Sequence, residues 1–294
     1  MTLLAFIGLC LAWSFSWFAM KLQVESFVAL EISVFYRFFF TAILMFCLCK
    51  FFKQRISISR RETKFLSIIA LCNFCLNFLI GYYAVRFIPS GVIAVVFSLS
   101  IIISEILSCL INGKKVEKKI ILSGALGFIG LTFFIAPTLH FSDQINKTII
   151  GFLLSLLMVS VYSIGNFVFA KHKEKNHTPL FTSLAYGSGI GAIYILIYNL
   201  ALGNQFAFDF SAKYVSSLAY LVVVASVGAF ICLFYLIQTI GSAKANYTAL
   251  VYPTIALLIS GVYENFHFNF FSIIGLMLII LALVIDFLPK KYVS

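Results

Sequence analysis

The chain contains 294 residues, of which 62% are hydrophobic and 11% are charged. Soluble domains are about half apolar and about a quarter charged, so this composition excludes a soluble globular protein and indicates an integral membrane protein. The net charge of +11 does not indicate nucleic-acid binding, because the basic residues lie between apolar runs, where they report membrane orientation. The apolar runs do not alternate with a period of two, which disfavours a membrane β-barrel.

Ten apolar runs have the length of a membrane-spanning helix. About 20 residues, at roughly 1.5 Å per residue, cross the ~30 Å hydrocarbon core of a bilayer. We therefore predict an all-α integral membrane protein with ten transmembrane helices. The predicted spans are 2–20, 28–49, 65–85, 89–111, 120–137, 149–170, 180–202, 215–239, 245–263 and 270–288. The first span lacks a basic leader and a cleavage site, which indicates a retained helix and not a signal peptide.

The connections between the spans differ in charge. Sixteen of the 21 lysines and arginines fall on the side of the membrane that holds the N-terminus, and four fall on the opposite side. Cytoplasmic connections of membrane proteins carry the excess of basic residues. We therefore predict a multi-pass protein of a bacterial-type inner membrane, with both termini in the cytoplasm.

The chain repeats a unit of five helices. Aligning Tyr83 with Tyr235 brings similar sequence into register, about 150 residues apart. Because five is an odd number, the second copy must enter the bilayer from the opposite side. This is the inverted-repeat design of many secondary transporters, whose substrate site lies between the halves. We predict a first repeat over residues 1–143 and a second over residues 144–294.

The first and last helices of the two halves also match. The segment Trp13–Lys21 resembles Tyr162–Lys171, and the glycines of Gly124–Gly130 correspond to the region of Gly275. Small residues at such spacing let helix backbones approach closely. We interpret these glycines as packing positions.

These segments resemble the drug/metabolite transporter superfamily, in its EamA-like branch. The resemblance covers nearly the whole chain and rests on the order and spacing of Trp13–Lys21, Phe35–Phe38, Tyr83–Phe97, Gly124–Gly130, Tyr252–Pro253 and Glu264. It implies ten helices in two inverted repeats around a central cavity, and transport of small metabolites, often export of amino acids. The chain departs from the family pattern at three positions: Ile101 stands where proline is common, Lys114 where an acidic residue is common, and Glu105 where a small residue is common.

Two charged residues, Glu105 and Arg37, lie inside predicted spans. A charge at the centre of a span costs about 3 kcal/mol on insertion scales, so such residues are candidates for a functional site. Glu105 is a candidate for carrying a proton or binding a substrate ammonium group, and Arg37 for binding a substrate carboxylate. The alternatives are structural: the two could pair with each other, or Glu105 could reach the cytoplasmic surface. The resemblance favours the structural role for Arg37. Asp286 and Glu264 lie near span ends and are expected to be solvated.

Amide and aromatic side chains supply further candidates. Asn73 and Asn77 lie four residues apart on one helix face and should face the bundle interior, because an amide that faces lipid is unsatisfied. They either line a cavity or link helices. The candidates for the cavity wall are Trp13, Trp17 and Tyr162, which lie deep in equivalent spans. The weaker candidates are Tyr83, Asn166, Gln238, Asn246 and Tyr252.

The sequence offers no pattern typical of an enzyme, a metal site or a cofactor site. The four histidines lie in connections without metal-ligand spacing, and the seven cysteines lie in apolar runs, where they serve as small buried side chains. No phosphate-binding glycine loop is present, which disfavours ATP-driven transport. We expect no catalytic residue, metal or cofactor.

The sequence therefore predicts a secondary active transporter that moves a small polar metabolite by alternating access. An amino acid or related zwitterion is the favoured substrate, export the favoured direction, and proton or ion coupling is possible. The alternatives are an importer or exchanger of a nucleoside-like or methyl-donor metabolite, and a membrane assembly subunit that transports nothing. One chain contains both repeats, so a monomer suffices and a homodimer is compatible. The expected partners are the substrate and the lipid bilayer.

Overall fold

The computed structural model describes residues 1–113, 115–140, 145–175, 178–240, 245, 248–264, 266 and 268–287. Within these ranges the chain forms helices joined by short connections, and it forms no strand. The helices are α1 Thr2–Val24, α2 Leu30–Phe51, α3 Arg60–Ala84, α4 Ser90–Ile111, α5 Lys118–His140, α6 Ile145–Lys175, α7 Leu180–Ala201, α8 212–240, α9 Thr248–Tyr263 and α10 Phe270–Phe287.

Among the described residues, seven helical segments are long and apolar enough to cross a membrane. Shorter apolar stretches, Val251–Tyr263 and Phe270–Asp286, lie in α9 and α10. The prediction of an all-helical, multi-pass membrane protein is confirmed. The count of ten spanning helices, and their division into two inverted repeats, stays a prediction.

Helix α3 begins earlier than the predicted span 65–85, because a capping box starts it at Arg60. The Ser59 hydroxyl accepts a hydrogen bond from the Glu62 amide at 3.2 Å, and a Glu62 carboxylate oxygen accepts one from the Ser59 amide at 2.7 Å. This reciprocal pair satisfies backbone donors that the first turn of a helix leaves free. Hydropathy marks only the apolar part of α3 and misses this polar first turn.

The first helix of each predicted half contacts two helices of the other half. Helix α1 packs against α8 and α9, and α6 packs against α3 and α4. Two further pairs, α2 with α7 and α5 with α10, join helices that occupy the same place in the two halves. The pattern of helix contacts is therefore the same when the two predicted halves are exchanged. Most contacts between helices join one half to the other.

Two helices contain a section of π-helix, and these sections lie about 150 residues apart. They span Ala70–Leu76 in α3 and Tyr220–Gly228 in α8. In the second, the Ser226 hydroxyl donates to the carbonyl of Leu221, five residues earlier, at 2.8 Å. Sections of π-helix are rare and occur often at functional sites. The first one contains Asn73, a candidate from the sequence.

Helices α5 and α10 cross with their backbones in contact at two glycines. A Cβ atom placed on Gly130 would lie 2.8 Å from the carbonyl oxygen of Gly275 and 2.9 Å from the amide nitrogen of Ile279. A Cβ atom on Gly124 would meet only side-chain atoms, at 3.5 Å or more. The interpretation as packing positions is confirmed for Gly130 and Gly275, whereas Gly124 has room for a side chain.

Polar contacts join the connections on one face of the bundle, which we call the first-loop face because it carries residues 25–29. The Ser26 hydroxyl donates to Asp209 at 2.8 Å, and Lys213 pairs with Glu25 at 2.7 Å. The Ser211 amide also donates to Asp209, and this bond lowers the pKa of the Asp209 carboxyl from its ordinary value. These contacts hold the α1–α2 connection against the α7–α8 connection.

Candidate functional site

Five aromatic side chains meet between the two predicted halves, and we call them the central aromatic group. Trp13 contacts Tyr252 edge to face, with ring centroids 5.7 Å apart. Trp17 contacts Phe97 at 5.4 Å, and Phe97 contacts Tyr162 at 4.7 Å. The rings come from α1, α4, α6 and α9, so residues from both halves of the chain form one wall.

Four of the five rings of the central aromatic group are not completely buried. Trp13, Trp17, Phe97 and Tyr162 are each only partly exposed. Tyr162 lies in α6 and is half-buried, and its ring packs against Phe97 of α4. Tyr252 is buried, and its carbonyl accepts a hydrogen bond from Ser14 at 3.0 Å, which holds α9 against α1.

An amide pair lies beside these rings. The Asn73 amide donates to the Asn166 carbonyl oxygen at 3.0 Å, and the Tyr162 hydroxyl hydrogen-bonds to Asn166. The Asn73 carbonyl oxygen is buried and has no hydrogen-bond partner among the described residues. A buried acceptor without a partner is costly, so a ligand donor or a water molecule is needed to complete this pair.

Gly165 makes the amide pair possible, because a Cβ atom at this position would overlap the Asn73 carboxamide. We expect Gly165→Ala to displace Asn73, break its bond to Asn166 and weaken substrate binding by roughly tenfold. Stability should also fall, because the Cβ atom would lie 2.9 Å from the Cβ of Cys72, which is fixed to the backbone of α3. Ligand affinity and Tm of the purified variant check this.

The matched control is Gly189→Ala, where a Cβ atom would meet only the Cβ of Ala42, at 3.7 Å, and a ring atom of Phe46 at the same distance. It adds the same methyl group to a helix without moving the amide pair, so affinity should stay at the wild-type value. Unchanged affinity in Gly165→Ala would remove Asn73 from the binding site.

Glu105 lies outside the central aromatic group. Its side chain is exposed, and its charged neighbours are Asp286 of α10, with Lys119 and Glu117 at the start of α5. Asp286 is only 5% exposed and accepts a hydrogen bond from Ser123 at 3.4 Å. The expectation that Asp286 is solvated is wrong, because α5 and α10 pack against each other and cover it.

Arg37 is buried and does not pair with Glu105. Its guanidinium carbon lies 4.5 Å from the ring centroid of Phe78, and its polar neighbour is the Tyr82 hydroxyl. No carboxylate lies within 4.0 Å of Arg37 in the part of the chain that the structure describes. The suggested Arg37–Glu105 pair is therefore wrong.

The remaining candidates lie elsewhere or are not described. Tyr83 donates to the Glu31 carboxylate near the first-loop face, and Arg86 lies over its ring at 5.8 Å. Asn77 is buried, as expected, and its carbonyl oxygen has no partner among the described residues. The side chain of Gln238 and all of Asn246 lie outside the described part of the chain.

Sequence reasoning missed a carboxylate that seals α4 against α9. Glu264 was expected to be solvated, but it accepts hydrogen bonds from the Ser90 amide at 2.9 Å, from the Ser90 hydroxyl, and from Ser260 at 2.8 Å. The Ser260 hydroxyl accepts a bond from the Gly91 amide at 2.7 Å. The sequence does not show that Ser90 and Glu264, 174 residues apart, are partners.

A comparison with protein families identifies the arrangement. The model of the EamA-like transporter family matches residues 1–136 and 148–287. The chain belongs to the EamA-like transporter family. This membership and the interior wall of aromatic and amide side chains point to a membrane transporter and not to an enzyme.

Two curated relatives carry the word transporter in their names, and a solved structure shares the fold. The chain is 24% identical over 278 residues to "Uncharacterized transporter YoaV" of Bacillus subtilis (strain 168), covering 94% of this chain and 93% of that protein. It is also 24% identical over 264 residues to "Uncharacterized transporter in trpA 3'region" of Buchnera aphidicola subsp. Schlechtendalia chinensis, covering 87% and 83%. A structure titled only "Crystal structure of protein" superposes with a TM-score of 0.69, at 12% identity, over 100% of this chain and 99% of that one. That likeness concerns the fold alone.

Proposed function

We propose that this EamA-like protein is a secondary active transporter that moves an amino acid or a related zwitterion through the space beside the central aromatic group. The observation that carries the proposal is the wall of Trp13, Trp17, Phe97 and Tyr162 next to the Asn73–Asn166 pair. Aromatic faces attract an ammonium group, and an unpartnered amide oxygen accepts its hydrogen bonds. A small substrate with an amino group suits this lining.

We propose two inverted repeats, residues 1–143 and 144–294, in a bacterial-type inner membrane with both termini in the cytoplasm. Three observations support the repeat: the exchangeable order of helix contacts, the π-helical sections about 150 residues apart, and a family match in two ranges. The excess of basic residues on the N-terminal side supports the orientation.

We propose transport by alternating access, and the close contact of α4 and α9 at the first-loop face supports this. A Cβ atom on Gly91 would lie 2.6 Å from the backbone of Ala256 and of Leu257, so α4 and α9 touch there without a gap. This conformation is closed on that face, and the substrate enters or leaves through the opposite face. We propose export as the direction, on the resemblance stated above.

Coupling to protons is assigned to Glu105 and Asp286, which lie side by side at the opposite end of the bundle from the seal. Two adjacent carboxyl groups hold a shared proton more readily than two separated ones, because like charges repel. Replacing Glu105 should therefore alter the dependence of transport on the proton gradient and leave substrate affinity unchanged.

The test is thermal stabilisation of the purified protein by a panel of amino acids, amines and nucleosides, followed by transport of each hit into liposomes. A ligand that binds the folded state raises Tm by mass action. We expect an amino acid or related amine to raise Tm in the wild type and in Glu105→Gln, and to lose most of this effect in Trp17→Ala. A nucleoside as the only hit supports the alternative substrate class. No hit, together with no transport, supports an assembly subunit.

A further inference from the structure

Three polar side chains form a second buried cluster, separate from the central aromatic group. The Tyr82 hydroxyl of α3 donates to Gln23 of α1 at 2.6 Å, and the Arg37 guanidinium of α2 lies beside the same hydroxyl. All three are more than nine-tenths buried: Gln23 and Tyr82 are 0% exposed and Arg37 is 5% exposed. Three helices therefore converge on one hydroxyl group.

The cluster contains donors without partners. The Arg37 Nε and the Gln23 Nε2 are buried, and neither has a hydrogen-bond partner in the described ranges. The Gln23 carbonyl oxygen is already used by Tyr82, so the side of Gln23 that remains free is its NH₂ group. Both unused groups are N–H donors, and a ligand that satisfies them must be an acceptor.

The positive charge of Arg37 has no carboxylate partner within 4.0 Å in the ranges that the structure describes. The acidic residue nearest to Arg37 along α2 is Glu31, whose carboxylate is bound by Tyr83. Contacts with the Phe78 and Phe38 rings, at 4.5 Å and 5.6 Å, offset only part of the loss of hydration. A buried cation without a counter-ion is costly, because the interior supplies no water to solvate it. A negative charge beside Arg37 would remove this cost.

We propose that Arg37, Gln23 and Tyr82 form a buried subsite for one small anion, either the carboxylate of the transported substrate or a free inorganic anion. Arg37 supplies the charge and N–H donors, Gln23 supplies its free NH₂ group, and Tyr82 holds the two in register. This inference deepens the proposed function, because it assigns a carboxylate to the substrate if the anion arrives with it.

Gln23→Glu is the sharpest test, because it places a carboxylate inside the cluster at the same size. The substituted side chain keeps an oxygen for Tyr82 and turns the other end toward Arg37 as a built-in anion. We expect this variant to be as stable without added anion as the wild type is with it. We also expect its anion affinity to fall by roughly thirtyfold or more, since the site is already occupied.

The measurement is Tm of the purified full-length protein while gluconate is replaced by chloride or acetate at constant ionic strength. The same titration follows for any amino acid that binds, against its primary amide, which lacks the carboxylate charge. Arg37→Met should lose anion-dependent stabilisation. Arg86→Met is the matched control, since Arg86 is exposed and also lies over an aromatic ring, so it should respond as the wild type does.

The outcomes separate the two anion sources and the two proposals. Stabilisation by the amino acid but not by its amide, lost in Gln23→Glu, assigns the subsite to the substrate carboxylate. Stabilisation by chloride or acetate alone, lost in the same variant, assigns it to a free anion and stands even if no metabolite is transported. The subsite is rejected if every anion raises Tm equally in the wild type, Gln23→Glu and Arg37→Met, or if no anion raises Tm. Rejection of the subsite leaves the proposed function intact, because a neutral substrate or an amine would bind at the central aromatic group.

Discussion

Replacing Gly130 with alanine is expected to destabilise the protein by about 3 kcal/mol, at the upper end of the range for overpacking a core. The added Cβ atom would lie 2.8 Å from the Gly275 carbonyl oxygen and 2.9 Å from the Ile279 amide nitrogen. Both are backbone atoms of α10, which cannot turn away as the end of a side chain can. The whole of α10 must shift, and its contacts with α5 along the crossing are lost.

Helix α5 provides its own graded controls. A Cβ atom on Gly127 would meet a terminal methyl of Leu99 at 3.0 Å, and one on Gly124 would meet Ile106 at 3.5 Å. We expect the Tm of Gly124→Ala to match or exceed that of the wild type. The Tm of Gly127→Ala should be slightly lower, and that of Gly130→Ala lower by roughly 5 °C or more. Tm and the yield of monodisperse protein measure the series. Equal values for the three variants would contradict backbone contact at the crossing.

Replacing Glu264 with alanine is expected to loosen the seal between α4 and α9 and to cost about 2 kcal/mol. Its carboxylate accepts bonds from Ser90 and Ser260 and lies at the N-terminus of α4, where free backbone N–H groups favour a negative charge. Without it the Ser90 amide loses its acceptor, and Ser260 keeps its bond from the Gly91 amide and its contact with the Ser90 hydroxyl at 3.4 Å. Opening on the first-loop face should become more frequent.

Hydrogen exchange over residues 85–97 and Tm measure this effect together. Glu264→Ala should speed hydrogen exchange at the start of α4 and lower Tm. Glu264→Gln should lower Tm by about half as much, because its side chain retains a hydrogen-bond acceptor. The control is Glu25→Ala, which removes a carboxylate from an exposed pair with Lys213 on the same face. Such pairs contribute about 0–1 kcal/mol. If Glu264→Ala behaves like this control, the seal does not depend on the carboxylate.

The central site could be predicted in part. Trp13, Trp17 and Tyr162 were found because they occupy equivalent, deep positions in similar segments, and a deep polar or aromatic side chain must face the bundle interior. Asn73 was found for the same reason. Phe97 was missed, since a phenylalanine in an apolar run resembles the many that face lipid. Only the contact with Trp17 and Tyr162 distinguishes it.

Residues near the ends of helices could not be assigned. Asp286 and Glu264 were expected to be solvated. In both cases the decisive partner comes from a helix far away in the chain: Ser123 for Asp286 and Ser90 for Glu264. The position of a carboxylate at the end of a span does not show whether water or another helix covers it.

The sequence by itself determined that the chain is a multi-pass helical membrane protein, because the thickness of a bilayer and the cost of buried charge act on each segment separately. Its repeated segments also singled out Trp13, Trp17 and Tyr162, whose place in a substrate site stays a prediction. Only the tertiary structure decided that Glu105 lies beside Asp286, that no carboxylate among the described residues pairs with Arg37, and that Glu264 joins α4 to α9 at one face. Those facts depend on which helix faces pack together, and helix packing depends on residues more than 150 positions apart, which local hydropathy does not register.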